Sequence, residues 1–188
     1  GYKIIAGVDE AGRGPLAGSV FAAAVILPLD FKIEKINDSK KLTPKIRDEL
    51  FEIIIENSKA YSISSIDHMV IDEINILNAT FKAMVKAVEN LQIPPDFVIV
   101  DGNRINGLTT PHNCIVKGDS KSQTIAAASI LAKVSRDREM IRYDEIYPQY
   151  GFKKHKGYGT KEHIENILKH GPCPIHRRSF LKKIMERA

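Results

Sequence analysis

Val20 to Leu27 is eight residues long and apolar throughout. A continuous apolar run of that length reads as a buried strand. A buried strand needs other elements packed over it, so the chain must fold in layers. The flanking segments supply those layers. Lys3 to Val8 is a short β-branched run that ends at Asp9-Glu10. It is followed by a loop over residues 11–18 that holds Gly12, Gly14, Pro15 and Gly18. Thr43-Pro44 opens a helix running to about Asn57, because Thr is a good N-cap and Pro suits the first helical position. Ile46, Leu50, Ile53 and Ile54 share one face of it. Ala60 to Ile66 alternates like a strand, and Ile74 to Leu91 has helical spacing. Phe97 to Val100 reads as a buried strand and Asn113 to Val116 as another short one. An alanine-rich helix is expected from about Ser120 to Arg142, its small side chains allowing close packing on a sheet. Strands and helices mixed in this way predict an α/β domain with a mixed sheet over residues 1–149. After Pro148 the pattern changes. A basic, glycine-flanked loop spans 153–159, Thr160 caps a short helix to His170, residues 171–174 break it, and a last helix follows Arg178. Residues 150–188 are expected to form a small helical appendage.

Of the 188 residues, 43% are hydrophobic and 27% charged, which excludes a wholly disordered chain. No stretch approaches the roughly 18 uncharged apolar residues of a membrane span. The N-terminus lacks the apolar core and cleavage site of a secretory signal. Cys114 and Cys173 lie far apart without a second CxxC, which argues against a disulfide framework or a thiolate zinc site. A reducing, cytoplasmic setting is therefore expected. Charge is unevenly placed. Residues 150–188 carry ten Lys/Arg against three Asp/Glu, a net +7, so the first 149 residues net −2 within the chain's +5. Four of the six histidines also lie there. A near-neutral body with a basic tail suggests a polyanionic partner such as nucleic acid. A solvated, charged terminal helix is the plainer reading of the same numbers.

Three acidic features stand where elements end or begin: Asp9-Glu10, Asp101-Gly102 and Asp119. Ligands collect at strand ends in open α/β sheets. Carboxylates converging there would repel one another unless cations lay between them. Magnesium suits such a set, and two ions about 3.5–4 Å apart can hold the attacking and leaving oxygens of a phosphoryl displacement. Each position has another reading. Asp119 could be a helix N-cap and Asp101-Gly102 an ordinary turn. Adjacent strand residues point to opposite faces, so Asp9 and Glu10 reach one site only if the backbone bends at Glu10. The glycine-rich loop misses the dinucleotide fingerprint by one residue and is followed by a strand, and no Gly-Lys-Ser/Thr is present. What remains is a backbone able to approach a ligand closely, with Arg13 beside it.

Together these segments resemble the bacterial type 2 ribonucleases H, ribonuclease HII in particular. The resemblance is carried by the run from Asp9 to Gly18, Asp38-Ser39-Lys40-Lys41-Leu42, Val100-Asp101-Gly102 and the run from Lys117 to Ser122. It continues in the runs from Ala127 to Lys133 and from Lys156 to Thr160, and closes with His176-Arg177-Arg178-Ser179-Phe180. The segments follow the family's order over almost the whole chain, and the opening motif is the most specific. The resemblance implies a ribonuclease H-like mixed sheet flanked by helices, with the C-terminal appendage binding substrate. It implies cleavage of RNA in RNA–DNA hybrids and incision 5′ of ribonucleotides embedded in duplex DNA, leaving 3′-hydroxyl and 5′-phosphate ends. Asp9, Glu10, Asp101 and Asp119 match the family's catalytic carboxylates and would hold Mg2+ or Mn2+, two ions when substrate is bound.

Water would then attack phosphorus in line, with no covalent nucleophile. Telling RNA from DNA needs contact with the 2′-hydroxyl, both donor and acceptor, which main-chain groups of Gly12, Arg13 and Gly14 could supply. By resemblance Tyr158 stacks on the neighbouring sugar; otherwise it reads as a ring packed on the final helix. Lys40, Lys41, Lys121 and the tail would meet phosphates, which position rather than specify. His176 and Arg177 receive no role, and a monomer is expected. Two other classes fit parts of the pattern. A junction resolvase or transposase-like nuclease would share the acidic cluster but need no 2′-hydroxyl sensor. A non-enzymatic nucleic-acid binder would not need the carboxylates.

Overall fold

The structure, a computed structural model, describes residues 1–33, 36 and 42–186. Five strands form one sheet: β1 (Ile5–Ala11), β2 (Val20–Ile26), β3 (Ala60–Ile66), β4 (Phe97–Asp101) and β5 (His112–Ile115). Their order is β3-β2-β1-β4-β5. β2 pairs antiparallel with both β1 and β3, while β4 pairs parallel with both β1 and β5. The mixed sheet expected from the sequence is therefore present. Among the described residues seven α-helices accompany it: α1 (Pro44–Asn57), α2 (His68–Ile74), α3 (Ile76–Glu89), α4 (Gln123–Ile146), α5 (Phe152–His155), α6 (Lys161–His170) and α7 (Arg178–Met185).

The apolar run of β2 is explained by its neighbours. Val20, Ala22, Ala24 and Ile26 join a core with Phe81, Met84 and Val88 of α3. Ala23 and Val25 join a second core with Leu50 and Ile54 of α1 and Ala127, Ile130 and Leu131 of α4. Both faces of the strand are covered, so no position can be polar. The alanines of α4 let it lie close on β1 and β2, as the sequence suggested. The tail is docked, not detached. Ala17 and Met140 of the body share a third core with Phe152, Ile167, Ile175 and Leu181, and Ala17 bridges His176 in β fashion. Asp72 of α2 caps α7, accepting from the Arg178 and Ser179 N–H groups at 2.8 and 2.9 Å.

Four local expectations change. The helix expected over 74–91 is α3, which begins at Ile76, and a separate α2 over 68–74 precedes it; between them Asn75 has a left-handed φ of 69° and caps α3 through the Asn78 N–H. α4 starts three residues later than expected, capped by Ser122, and residues 118–120 form a 3-10 turn before it. Ile53 is 40% exposed while Phe51 joins Leu50 and Ile54 in the core. Part of the predicted 153–159 loop is helical, because α5 takes in 152–155. Among the described residues no helix is long and apolar enough to cross a membrane.

The tightest approach of α4 to the sheet is at Gly7, where a Cβ would lie 2.5 Å from the Thr124 carbonyl carbon and 2.6 Å from Ile125 N. Backbone cannot move aside as a side chain can. Gly7→Ala is therefore expected to destabilise by about 1–3 kcal/mol or more, a drop of roughly 2–4 °C in Tm per kcal/mol for a chain of this size. Thermal melting checks it, and an unchanged Tm would mean α4 slides freely over β1.

Candidate active site

β1 and β4 are parallel and adjacent, with Val8 opposite Val100, so Asp9-Glu10 and Asp101 emerge at the same end of the sheet. One carboxylate oxygen from each of Asp9, Glu10 and Asp101 falls within 4.8 Å of the others. The bend expected at Glu10 is absent from the ladder: β1 stays paired to β2 through Glu10–Ala22 and Ala11–Phe21. The carboxylates meet because β4 ends at Asp101, and because the Asp9 carboxylate turns along its own strand to accept the Glu10 N–H at 2.7 Å. Asp101 Oδ1 accepts the Gly118 N–H at 2.6 Å and, more weakly, the Asp119 N–H at 3.4 Å. It thereby fastens the 3-10 turn that carries Asp119 to the end of β4. Asp119 lies beside the cluster but outside the 4.8 Å set, and it does not cap α4; Ser122 does.

The electrostatics of this cluster are unfavourable as it stands. Burial, then the charges of Glu10 and Asp101, hold the Asp9 carboxyl well above the usual carboxylate range. Burial also raises Glu10, against a hydrogen bond from Asp9 and the nearby charge of Arg13. Like charges buried together stay ionised only with a cation among them. An all-oxygen donor set of this kind fits a hard divalent ion.

Beside the cluster lies a cleft of about 440 Å³ lined by Glu10, Gly12, Arg13, Gly14 and Tyr158, among others. A second cleft of about 470 Å³ shares Glu10 and Arg13 and extends to Asp101 and Arg104. Tyr158 is 42% exposed, so its ring lines the cleft rather than being buried against α7. Arg136 and Lys133 approach its ring to 5.7 and 5.8 Å from the centroid. Gly14 lies against the ring: a Cβ there would stand 3.7 Å from Tyr158 Cε1, an ordinary contact. Lys121 is exposed at the end of the 3-10 turn. Lys40 and Lys41 lie outside the described residues.

Several site residues were not assigned from the sequence. The Ser129 hydroxyl favours the charged form of Asp9, and Arg47, Ser129 and Lys133 line the first cleft. Ser129, Lys133 and Arg136 follow helical i, i+4, i+7 spacing, a polar stripe along one side of α4. That stripe was legible. Arg136 is fully buried and donates to the carbonyls of Ser19, Lys156 and Ala17 at 3.2, 2.9 and 3.1 Å. It also fills the space beneath Gly12 (φ 95°), where a Cβ would overlap it. Arg177 is equally buried. It donates to Gly18 O at 2.9 Å, Arg13 O at 3.0 Å, Pro15 O at 2.9 Å and Gly12 O at 2.6 Å.

The tail histidines form a buried relay. Cys173 N–H donates to His176 Nδ1 at 2.9 Å, so Nδ1 is unprotonated and His176 Nε2 carries the proton. That Nε2 faces His163 Nε2 at 3.0 Å, and His163 Nδ1 faces the Tyr158 carbonyl at 2.8 Å. One proton order satisfies every link: His176 donates to His163, which donates to Tyr158. His155 accepts the Gly157 N–H at 3.1 Å and donates to Tyr150 O at 2.7 Å. Burial, then the charge of a neighbouring ring, lowers His163 to about 4 and His176 to about 3. The relay is thus neutral, and it holds the backbone of Tyr158.

The family model "Ribonuclease HII" matches residues 6–183. A ribonuclease HII from Caldicellulosiruptor saccharolyticus is 60% identical over 98% of this chain and 90% of its own length. Among solved structures, the ribonuclease H2 of Pyrococcus horikoshii superposes with a TM-score of 0.83 at 30% identity, covering 98% of each chain. The ribonuclease HII of Archaeoglobus fulgidus, solved in complex with PCNA, gives a TM-score of 0.79 at 25% identity over 94% of each.

Two outcomes are expected from this geometry. Saturating Mg2+ or Mn2+ should raise Tm, a hundredfold excess over the dissociation constant being worth about 2.7 kcal/mol. Asp9→Asn should raise the metal-free Tm, by removing a buried charge, and abolish the increment; an undiminished increment would place the cation elsewhere. The relay predicts acid sensitivity. Unfolded histidine binds a proton near pH 6.5 but the buried rings do not until about pH 4 and 3. Their contribution is therefore complete above pH 6.5 and is lost as pH falls toward 4, at up to about 1.4 kcal/mol per ring per pH unit. His176→Asn, whose amide oxygen can take the place of Nδ1, should flatten the pH dependence of Tm. Identical acid slopes in the two proteins would show that His176 is protonated in the fold.

Proposed function

The chain belongs to the ribonuclease HII family, a ribonuclease H hydrolase acting on RNA–DNA hybrids, and from that premise we propose that it also incises duplex DNA 5′ of an embedded ribonucleotide. The products carry 3′-hydroxyl and 5′-phosphate ends. One observation carries the reading: Glu10 of the acidic cluster lines the same cleft as Gly12, Arg13, Gly14 and Tyr158. A group reading the sugar is then within one nucleotide of the groups acting on the phosphate.

Asp9, Glu10, Asp101 and Asp119 are assigned as the catalytic carboxylates that hold Mg2+ or Mn2+. Such ions, when bound, activate water and stabilise the leaving 3′-oxygen. The chain's own groups do the rest. The Glu10 N–H fixes the orientation of Asp9, Ser129 favours its charged form, and Asp101 fixes the turn bearing Asp119. Main-chain groups of Gly12, Arg13 and Gly14 contact the 2′-hydroxyl. Tyr158 stacks on the adjoining sugar on the DNA side, its backbone held by His163. Lys133 and Arg47 in the cleft, with Lys40, Lys41, Lys121 and the basic residues of 150–188, neutralise phosphates and set register. Residues 150–188 serve as the substrate-binding region of a catalytic body formed by 1–149.

The test is metal-dependent cleavage of a DNA duplex with one internal ribonucleotide, beside an all-DNA duplex and a continuous RNA–DNA hybrid. The single-ribonucleotide duplex and the hybrid should be cut, the all-DNA duplex left intact. Asp101→Asn should reduce turnover at least as much as loss of a ligand's supporting partner, about 10–100-fold, with substrate binding retained. Tyr158→Ala should lose roughly tenfold on the single-ribonucleotide duplex, from about 1–3 kcal/mol per stacked ring, and much less on the hybrid. Equal losses on both substrates would make Tyr158 a packing residue, and cleavage of the all-DNA duplex would return the protein to the DNA-only nucleases.

A further inference from the structure

We propose that Arg177 is the positioning residue for ribose selectivity: from beneath the 12–18 loop it orients the peptide groups that read the 2′-hydroxyl, without touching the substrate. The proposal rests on the reading that Gly12, Arg13 and Gly14 contact that hydroxyl, and goes on to say what holds them.

Arg177 is fully buried, and among the described residues every side-chain hydrogen bond it makes is to a carbonyl between Gly12 and Gly18. Its own N–H adds one to Leu16 O at 2.8 Å. Among the described residues no carboxylate forms an ion pair with it. A buried cation without a partner carboxylate is costly, so the carbonyl dipoles are what solvate it. Its planar fork of five donors suits this, whereas an ammonium offers three on a point charge. Burial, then the Arg136 charge, brings its pKa down to about 9, so the cation persists at neutral pH.

The consequence follows from peptide geometry. In a trans peptide the carbonyl of one residue and the N–H of the next point in opposite directions. With the Gly12 and Arg13 carbonyls drawn onto Arg177, the N–H groups of Arg13 and Gly14 point away from it. Arg13 and Gly14 line the cleft and Arg177 does not. Pro15 has no N–H, and the Gly14 carbonyl is outside the set that Arg177 binds. The loop thus offers the cleft two donors and one carbonyl, a match for a hydroxyl that both accepts and donates. The cation behind the loop also polarises the bonds it makes, strengthening the donors in front.

The experiment is metal-free binding, in EDTA, to two DNA duplexes that differ by one 2′-hydroxyl, read by fluorescence anisotropy. Wild type is expected to favour the ribonucleotide duplex about tenfold, about 1.4 kcal/mol. Arg177→Lys keeps the charge but cannot serve four carbonyls, and should bring the ratio close to one with all-DNA affinity unchanged. Ile167→Ala, a packing change in the same tail core, should lower Tm and keep the wild-type ratio. A wild-type ratio in Arg177→Lys, or a lost ratio in Ile167→Ala, overturns the proposal. A wild type that ignores the hydroxyl overturns both this inference and the sensor reading beneath it. Should Arg177→Lys not fold, amide exchange in the wild type decides. The Arg13 and Gly14 amides should exchange fast in the free protein and become protected by the ribonucleotide duplex only. Amides already protected in the free protein would show them turned inward.

Discussion

Two buried guanidiniums hold the site in shape. Arg136 reaches the 12–19 segment from α4 and Arg177 from the start of α7, and all their hydrogen bonds end on backbone carbonyls. A segment rich in glycine has little side-chain packing of its own and a large conformational entropy to lose. Carbonyls buried without partners would add further cost. The two cations remove that cost and choose one conformation. Arg136 also binds Lys156 O and stands near the Tyr158 ring, so the loop and the tail are set by the same group.

The two guanidiniums form no ion pair with the acidic cluster among the described residues. Asp9, Glu10 and Asp101 repel one another at the carboxyl end of two parallel strands, while the arginines are occupied with carbonyls. The frame is held by the protein's own groups, and among the described residues only Arg13, 3.7 Å from Glu10, pairs with the cluster. Preorganised ligands of this kind lose little freedom on binding and hold the ion in one place.

The tail contributes more than charge. Its lysines are exposed, but His155, His163, His176 and Cys173 are interior groups joined by hydrogen bonds. Phe152 stacks edgewise on His155 and His163. The His163–His176 pair, held neutral by burial, specifies one geometry because a change of its protonation breaks a link. That geometry fixes the Tyr158 carbonyl, and with it the ring's approach to the cleft.

Much of this was legible in the linear pattern. The apolar run of β2, the Thr43-Pro44 and Thr160 helix starts, the alternation of β3 and the acids at strand ends are all local signals, and the structure bears them out. The short α2 was missed because seven residues carry too little helical rhythm, and Asn75, which separates it from α3, falls inside the longer helix that the pattern predicts. The meeting of Asp9 with Glu10 looked to need a bend, and did not, because where β4 stops is a property of a different strand. Arg177 and His176 stood in a recognisable motif, but nothing local gave their role. Arg177 finds its partner Gly12 at a separation of 165 positions, and a histidine in a basic tail looks the same in sequence whether it is solvated or buried. Periodicity and capping act within a turn or two of the chain, so sequence alone determined the elements and the acids they carry. Which carbonyl meets which guanidinium depends on how layers stack and where strands end, and that only the tertiary structure decided.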